Sequence, residues 1–326
     1  MTDAAIRIID AHATAASLPF DALVDALQAG FHNGCVVPAR HHHRLEKTGE
    51  PDATLLIMPA WAKPEDQDQF LGVKLVTVVP GNAARSLPGL TSTYILYDAV
   101  TGRQLSLMDG NVITSRRTAA TAALGARFLA RVDARSLLVI GAGRVGSLIP
   151  DAYLAVRPIE KVSVWDIQHE SADKLTRSLN ERGITAQVVT DLEQAVAAAD
   201  IVTAATLATE PVIKGQWIRK GTHIDLIGAF TPGMREADDA ALMMARVFVD
   251  THEALHEAGD LVQPIGGGVV AKEHVLGTLE DLANGKVKGR TAVDEITYFK
   301  AVGSGLADLV AARMVYKSVR AATVCV

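Results

Sequence analysis

The sequence has few cysteines, few aromatic residues, no long apolar run and no strong excess of one charge. Cys35 and Cys325 are its only cysteines, too few for a disulfide framework, which favours a reducing cytoplasm. No apolar run approaches the roughly 18 residues of a membrane span, and the N-terminus lacks the pattern of a signal peptide. The net charge of -5 gives no reason to expect nucleic acid or an anionic membrane as a partner.

The composition is that of a soluble protein with a large core. The chain has 326 residues, of which 49% are hydrophobic and 21% charged, which suggests one large domain or two of ordinary size. Aromatics make up only 5%, whereas Ala, Val, Leu and Gly are plentiful. This balance is typical of tightly packed α/β proteins.

The centre of the chain alternates short apolar segments with helical ones. The apolar run 135–140 leads into "GAGRVG", and a helical pattern follows from Ser147 to about Val156, where Pro150 favours an early kink. Alternating strands and helices imply crossover connections and therefore a parallel, doubly wound sheet. The other predicted elements are strand 161–166, helix 171–183, strand 186–189, helix 191–200 and strands 201–206, 222–229 and 246–250.

The first 117 residues have a different pattern. A predicted helix at about 18–31 is followed by extended runs that Gly and Pro turns interrupt, and "VTGRQ" at 100–104 has the pattern of a hairpin turn. A long helix at 114–130 leads into the central region. The amphipathic segment 301–319 is expected to return to the first domain and cover the cleft.

The predicted fold class is therefore α/β. It combines a Rossmann-type doubly wound parallel sheet in residues 118–302, which would bind NAD(P), with an α+β substrate and dimerisation domain formed by residues 1–117 and 303–326.

The "GAGRVG" segment follows a strand, precedes a helix and has an acidic residue 20 positions after its last glycine, which is the context of a dinucleotide fingerprint. Gly141 would permit the tight turn, Gly143 the approach of the pyrophosphate, and Gly146 close packing of helix on strand. The N-terminus of the helix would supply free N–H groups for the phosphates. The alternative interpretation is an ordinary structural turn.

Asp166 ends the second strand of this unit. An aspartate there accepts hydrogen bonds from the ribose hydroxyls of NAD and repels a 2′-phosphate. No Arg or Lys occupies 167–169, which favours NADH over NADPH, although Arg144 inside the loop could reach a phosphate. The alternative is a solvent-exposed carboxylate at the end of a strand.

Beyond these patterns, nine stretches follow one another along the chain: "PAR" (38–40), "GVKLVT" (72–77), "PGL" (88–90), "MDGNVITSRRTAA" (108–120), "GAGRVG" (141–146), "TLATEP" (206–211), "GAFTPGMRE" (228–236), "GDL" (259–261) and "FKAVGSGLADLVAA" (299–312). In this combination and order the sequence resembles the ornithine cyclodeaminase/μ-crystallin family over essentially its full length. Within that family, "MDGNVIT" and "TLATEP" are closer to the ketimine reductase members than to the cyclodeaminases.

The resemblance implies a Rossmann domain, a homodimer whose second domains pair their strands, and chemistry at the Cα–N bond of small amino acids. It places Arg40, Lys74 and Arg117 around the substrate carboxylate. The residues that it assigns to the nicotinamide cofactor are Ser92, Arg117, Gly141, Gly143, Arg144, Val145, Gly146, Asp166, Thr206, Ile224, Asp225, Leu226, Ile227 and Val302, the last near the nicotinamide.

The chemistry of these residues agrees with the carboxylate assignment. Lys74 lies in an apolar strand pattern, where an unpaired ammonium would be costly and a bound anion would remove that cost. Its alternative is a packed stem whose ammonium reaches solvent, and that of Arg117 is a surface helix charge. The histidine-rich run 40–46 suggests a metal, but neighbouring side chains of an extended run alternate faces and no second ligand cluster is evident, so we expect none.

Phe230 stands where the family's cyclodeaminases carry a catalytic aspartate. Leu56 and Met234 likewise replace a glutamate and a lysine of those enzymes. An apolar group cannot accept the δ-ammonium of ornithine or transfer its protons. These departures argue against cyclodeaminase activity, and Phe230 is expected to line the substrate pocket.

The expected activity is NAD(P)H-dependent reduction of a small cyclic imine that carries a carboxylate. Lys74, or a water that it orients, is the candidate proton source, and Asp308 is the second candidate unless it is a helix-turn or surface carboxylate. The alternatives are an alanine dehydrogenase-like or N-alkyl amino acid dehydrogenase, an ornithine cyclodeaminase, and a protein that binds a nucleotide and a small ligand without useful turnover.

Overall fold

A computed structural model describes residues 6–324 of the chain. Cys325, one of the two cysteines considered above, therefore lies outside the described residues. The chain divides into two compact units, one formed by Met1–Arg117 with Ser304–Val326 and the other by Thr118–Gly303. Within residues 6–324, no helix combines the length and apolar character that crossing a membrane requires.

The described residues form fourteen strands and eleven α-helices. The strands are β1 (Arg7–Ile9), β2 (His41–Leu45), β3 (Ala53–Trp61), β4 (Phe70–Val78), β5 (Leu90–Asp98), β6 (Gln104–Asp109), β7 (Ser136–Ile140), β8 (Lys161–Trp165), β9 (Ala186–Val188), β10 (Ile201–Ala204), β11 (His223–Leu226), β12 (Arg246–Val249), β13 (Val275–Thr278) and β14 (Thr297–Lys300). The α-helices are α1 (Ala11–Ala16), α2 (Phe20–Asn33), α3 (Gly110–Leu129), α4 (Ile149–Leu154), α5 (His169–Glu181), α6 (Leu192–Ala198), α7 (Asp239–Met243), α8 (Ala254–Glu257), α9 (Gly259–Gly266), α10 (Leu279–Ala283) and α11 (Gly305–Val324).

The unit formed by residues 118–303 contains an eight-stranded sheet of order β13-β12-β14-β11-β10-β7-β8-β9. All of its strand pairs are parallel. The chain runs outward from β7 through β8 to β9 and then returns to β10 on the other side of β7. This reversal is the topological switch point beside which doubly wound folds bind ligands. The predicted α/β class is confirmed.

The unit formed by residues 1–117 and 304–326 contains a six-stranded sheet of order β1-β6-β5-β4-β3-β2. Its pairs are antiparallel except β1 with β6. Helix α11 packs on β3, β4 and α2. The buried residues of α2 are Phe20, Leu23, Val24, Leu27 and Phe31, the spacing of one helix face, so the helix predicted at 18–31 is confirmed with slightly shifted ends.

The two faces of this antiparallel sheet differ. Lys74 and Tyr94 are paired on neighbouring strands and are buried on the face that α11 covers. The opposite face carries apolar side chains that stay partly exposed, among them Ile57, Val73 and Ile95. Side chains alternate between the faces of a strand, so this second face is a continuous apolar surface.

Several predicted elements are shorter than their sequence patterns. The strand predicted at 222–229 ends at Leu226, because the backbone N–H groups of Gly228 and Ala229 bond the Glu236 carboxylate instead of a neighbouring strand. After the glycine loop, a 3-10 turn (Gly146–Leu148) leads into α4. Pro150 lies in the first turn of α4, where a missing N–H leaves no helical bond unmade.

Other elements lack a clear sequence signal. Strands β1, β13 and β14 have only three or four residues, too few for a pattern of alternation. The structure also begins the last helix at Gly305 rather than at 301. The preceding residues form a loop in which the Asp250 carboxylate accepts hydrogen bonds from the N–H groups of Val302 and Gly303.

Candidate active site

Three buried charged side chains meet in the first unit. Lys74 comes from β4, Arg117 from α3 and Asp308 from the first turn of α11. The two carboxylate oxygens of Asp308 lie 2.6 Å from Lys74 Nζ and 2.7 Å from Arg117 Nε. All three residues are at least 95% buried, with Arg117 the most exposed at 5%. Because both cations are buried, the two alternative interpretations of the sequence do not apply: the Lys74 ammonium does not reach solvent, and Arg117 is not a surface charge.

The burial of this cluster sets its protonation. Loss of water around Lys74 lowers its pKa to about 8, against the opposing attraction of Asp308 and with the help of the Arg117 charge. Burial acts to raise the pKa of Asp308, but Arg117 and Lys74 more than offset it and hold that pKa below its usual value. Asp308 is therefore ionised near neutral pH. An ionised carboxylate accepts from both cations, which favours Lys74 over Asp308 among the two candidate proton sources.

The cluster carries more positive than negative charge. Lys74 and Arg117 share one carboxylate, and the charge of Arg40, a half-buried side chain, also lowers the pKa of Lys74. Within the described residues, Arg117 bonds Asp308 through Nε alone, so its terminal nitrogens stay available. A buried surplus of positive charge is costly unless an anion binds there. The arrangement is therefore suited to a small carboxylate.

Ser92 lies in β5 of the same unit. Its Oγ is 3.2 Å from Asn111 Oδ1, at the start of α3. A side chain on Gly110 would come within 2.8 Å of the Ser92 backbone oxygen, so the strand and the helix are in close contact here. The structure thus places Ser92 at the beginning of the helix that carries Arg117.

The glycine loop of the second unit fits a dinucleotide. Gly141 has a φ of +95°, and a Cβ on Gly146 would lie 1.8 Å from the Gly141 oxygen, so the protein itself requires both glycines. A Cβ on Gly143 would meet no atom within 4 Å. The described residues contain no acceptor for the N–H groups of Gly143, Arg144 and Val145. Open space above unpaired N–H groups is what a bound phosphate needs.

Asp166 follows β8 and closes this loop from the side. Its Oδ2 accepts a hydrogen bond of 2.7 Å from the Ala142 N–H, and its Oδ1 accepts one of 2.7 Å from the Gln168 N–H. Each oxygen keeps further lone pairs for hydroxyl donors. Arg144 is exposed on the loop. The carboxylate is thus fixed against the glycine loop rather than being a mobile charge at the end of a strand.

The segment from Ile224 to Ile227, which begins in β11 and ends one residue beyond it, is buried. The side chains of Ile224, Asp225 and Leu226 are fully buried and that of Ile227 almost so. Asp225 accepts hydrogen bonds from the hydroxyls of Tyr153 and Thr203. These side chains form core, so a cofactor at this strand would meet backbone at its end. Val302 lies in the loop that Asp250 fixes and is partly buried.

Sequence reasoning missed a second charged group in this unit. Glu236, Asp260 and Lys300 are buried, with Lys300 Nζ 3.1 Å from Asp260 and 3.7 Å from Glu236. Glu236 also accepts hydrogen bonds from the N–H and hydroxyl of Thr206. The loop between β11 and Glu236 carries Phe230, whose side chain is 43% exposed. The available signal was that all three charges fall within the stretches "GMRE", "GDL" and "FKAVG" that carry the family resemblance.

In the Lys74–Arg117–Asp308 cluster, loss of the carboxylate should destabilise the protein more than loss of one cation. Asp308→Ala leaves two buried cations without their carboxylate, and we expect the free energy of unfolding to fall by about 3–5 kcal/mol, the usual loss when one partner of a buried ion pair is removed. Lys74→Met keeps the Asp308–Arg117 pair and should lose less than half as much. Urea unfolding of both variants tests this, and equal losses would contradict the proposed surplus of positive charge.

Known proteins are similar to this chain over most of its length. Residues 7–323 match the model of the ornithine cyclodeaminase/mu-crystallin family. The Δ1-pyrroline-2-carboxylate reductase of Paracoccus denitrificans is 43% identical over 266 residues, which cover 81% of this chain and 83% of that protein.

Solved structures agree over nearly the whole chain. The Δ1-pyrroline-2-carboxylate reductase of Thermococcus litoralis, in complex with NADH and L-proline, superposes with a TM-score of 0.89 at 31% identity, covering 96% of this chain and 97% of that one. An archaeal alanine dehydrogenase dimer with bound NAD also has a TM-score of 0.89, at 28% identity, covering 98% and 97%. The chain belongs to the ornithine cyclodeaminase/mu-crystallin family.

Proposed function

We propose that this oxidoreductase reduces cyclic imines that carry a carboxylate: Δ1-pyrroline-2-carboxylate to L-proline and Δ1-piperideine-2-carboxylate to L-pipecolate. The observation that carries the proposal is the buried surplus of positive charge at Lys74 and Arg117, which needs an anion. The names of the relatives support the same class of substrate, because the Paracoccus protein is a Δ1-pyrroline-2-carboxylate reductase and the Thermococcus reductase was solved in complex with NADH and L-proline.

The substrate carboxylate would be bound by Arg117, Lys74 and Arg40. A guanidinium presents its N–H groups as a planar fork that matches a carboxylate. Since Asp308 bonds Nε of Arg117, it leaves the terminal nitrogens for the ligand and sets the orientation of the fork. Asp308 is in this view a positioning residue for both cations.

The hydrocarbon ring of the substrate requires an apolar environment. Phe230 and Met234 occupy the loop after β11, at positions where the resemblance places a carboxylate and a lysine in cyclodeaminases. A hydrocarbon ring needs neither group, whereas the δ-ammonium of ornithine would need the carboxylate. This loop therefore favours a preformed cyclic imine over ornithine.

When bound, a nicotinamide coenzyme supplies the hydride that C2 of the imine accepts. The N–H groups of the loop Gly143–Val145 would hold its phosphates, and Asp166 would accept hydrogen bonds from the ribose hydroxyls. Because a carboxylate repels a 2′-phosphate, Asp166 favours NADH over NADPH, with Arg144 the only cation within the glycine loop itself.

Lys74 is the proposed source of the proton on the ring nitrogen of the imine. Reduction of the imine needs a protonated ring nitrogen, since this makes C2 electrophilic. With a pKa of about 8, Lys74 is mostly protonated at neutral pH and still able to release a proton. Arg117 keeps its charge throughout and binds the carboxylate without taking part in proton transfer.

The direct test is a steady-state comparison of the two imines with each coenzyme. The purified protein should oxidise NADH with either imine, faster than NADPH because of Asp166, and at a rate that does not depend on added ammonium. Absence of turnover with both coenzymes would overturn the proposal. Because the fold is also similar to an alanine dehydrogenase, pyruvate with ammonium serves as the competing reaction, and ammonia release from ornithine would instead establish a cyclodeaminase.

The pH dependence of kcat/KM tests Lys74. The pKa of this group is lowered to about 8 in the folded protein, so its proton is present below that pH and is lost above it, and kcat/KM should fall as the pH rises through 8. Lys74→Arg keeps a positive charge but cannot release a proton, so we expect a loss in kcat of about 100-fold or more with a small change in KM.

Two controls accompany the Lys74 experiment. Lys74→Ala should cut turnover while leaving the NADH dissociation constant nearly unchanged. If Lys74→Arg retains both the wild-type rate and the same step near pH 8, the proton comes from another source.

We also propose that the protein is a homodimer that buries the partly exposed apolar sheet face around Val73 and Ile95. Light scattering should give twice the chain mass of 34.5 kDa. Ile95→Glu places a charge on that face and should produce monomers, whereas Val100→Glu, at an exposed turn, should not. A monomeric wild-type protein would exclude this interface.

A further inference from the structure

Two loops leave the same edge of the parallel sheet side by side. Thr206 follows β10, and Gly228 and Ala229 follow β11, its neighbour in the sheet. Both loops therefore start at the carboxyl ends of strands, where doubly wound folds bind ligands. Gly141 of the glycine loop lies against the first of them, since a Cβ there would approach the Ala205 oxygen to 2.7 Å.

One carboxylate bonds both loops. Glu236 Oε1 accepts hydrogen bonds from Thr206 N–H at 2.7 Å and from its hydroxyl at 2.9 Å. Glu236 Oε2 accepts hydrogen bonds from Gly228 N–H at 2.7 Å and from Ala229 N–H at 3.2 Å. A carboxylate has about four acceptor sites. These four donors use them, so Glu236 has no site left for a ligand and acts on the protein itself.

Glu236 is held in turn by two other buried groups. Its own N–H donates to Asp260 Oδ1 at 2.8 Å, and Lys300 Nζ lies 3.1 Å from Asp260 Oδ2. Burial raises the pKa of Glu236, and the positive charge of Lys300 opposes that rise. The residues come from a loop, the helix α9 and the strand β14, so the carboxylate is fixed from three directions.

The backbone around Glu236 is closely packed. A Cβ on Gly228 would lie 1.9 Å from the Thr206 oxygen, and one on Gly259 would lie 2.0 Å from the Met234 oxygen. The loop that carries Phe230 is therefore in tight contact with its neighbours at both ends. Its middle is held as well, since the Thr231 oxygen accepts a hydrogen bond from Gly259 N–H and the Pro232 oxygen accepts one from Gln263 Nε2. Phe230 itself stays half-exposed.

We propose that Glu236 is a positioning residue for the reductase reaction, which holds the Thr206 loop and the Phe230 loop in the single arrangement that accepts the coenzyme. This inference rests on the proposed function, because it assigns those loops to cofactor and substrate. A positioning role has a consequence that a purely structural role does not have. Loss of the Glu236 carboxylate should weaken coenzyme binding at temperatures where the protein is still folded.

The test is Glu236→Gln. The amide oxygen can accept from one loop, but the NH2 group then faces N–H donors of the other loop. A buried donor without an acceptor costs enough to change an equilibrium by about tenfold. We expect the NADH dissociation constant, measured by fluorescence titration without imine, to rise at least about tenfold, and kcat/KM for the imine to fall at least as much.

Asp200→Asn is the matched control. Asp200 also accepts backbone hydrogen bonds, from Arg135 and Ser136, and pairs with Arg131 and Arg219, but it precedes β10 at the opposite edge of the sheet. It should lower the melting temperature yet change NADH affinity less than twofold. Equal weakening in the two variants, or unchanged NADH affinity in Glu236→Gln, would overturn the proposal.

Two further results separate the possible outcomes. If Glu236→Gln does not fold, Glu236→Asp takes its place in the test. This variant keeps the charge beside Lys300 but is one methylene too short to bond both loops. The same loss of NADH affinity is then expected. If the wild type binds NADH but reduces neither imine, the proposed function fails while the titrations still decide the role of Glu236.

Discussion

Burial of charge is the constraint on which the candidate site depends. Lys74 and Arg117 are buried, and Asp308 is the carboxylate that both of them contact. Removing a charge from water costs several kcal/mol in proteins unless partners offset it. The three residues come from the middle of a strand, from a helix and from the last helix of the chain, so the return of α11 to the first unit completes the electrostatic balance of the cluster as well as its core.

The buried carboxylates of the molecule behave differently because their partners differ. Asp308 has two cations and a lowered pKa, so it is ionised. Asp225 accepts hydrogen bonds from two hydroxyls, and burial raises its pKa to about 7. Glu236 has backbone donors on all sides and a lysine nearby. The number of charged and neutral donors around each group, rather than residue type, decides whether it balances charge, fills core or fixes loops.

The parts of the fold that depend on local sequence were predictable. The glycine loop, the apolar strand before it and Asp166 after the next strand are short-range features, and the structure contains them as expected. The lengths of strands were less predictable. The apolar pattern that begins at residue 222 continues to Ala229, but the strand ends at Leu226, because a carboxylate ten residues further on competes for its backbone donors.

The sequence alone was enough to predict the type of fold, the dinucleotide loop, the basic residues in an apolar strand and at a helix start, and the replacement of the cyclodeaminases' aspartate by Phe230. Each of these follows from residue type, spacing or family resemblance. Folding in three dimensions was needed to bring the Asp308 carboxylate against Lys74 and Arg117, and to place Glu236 where it joins two loops. Electrostatic interaction depends on distance and on exclusion of water, and neither quantity can be read from the separation of residues along a chain.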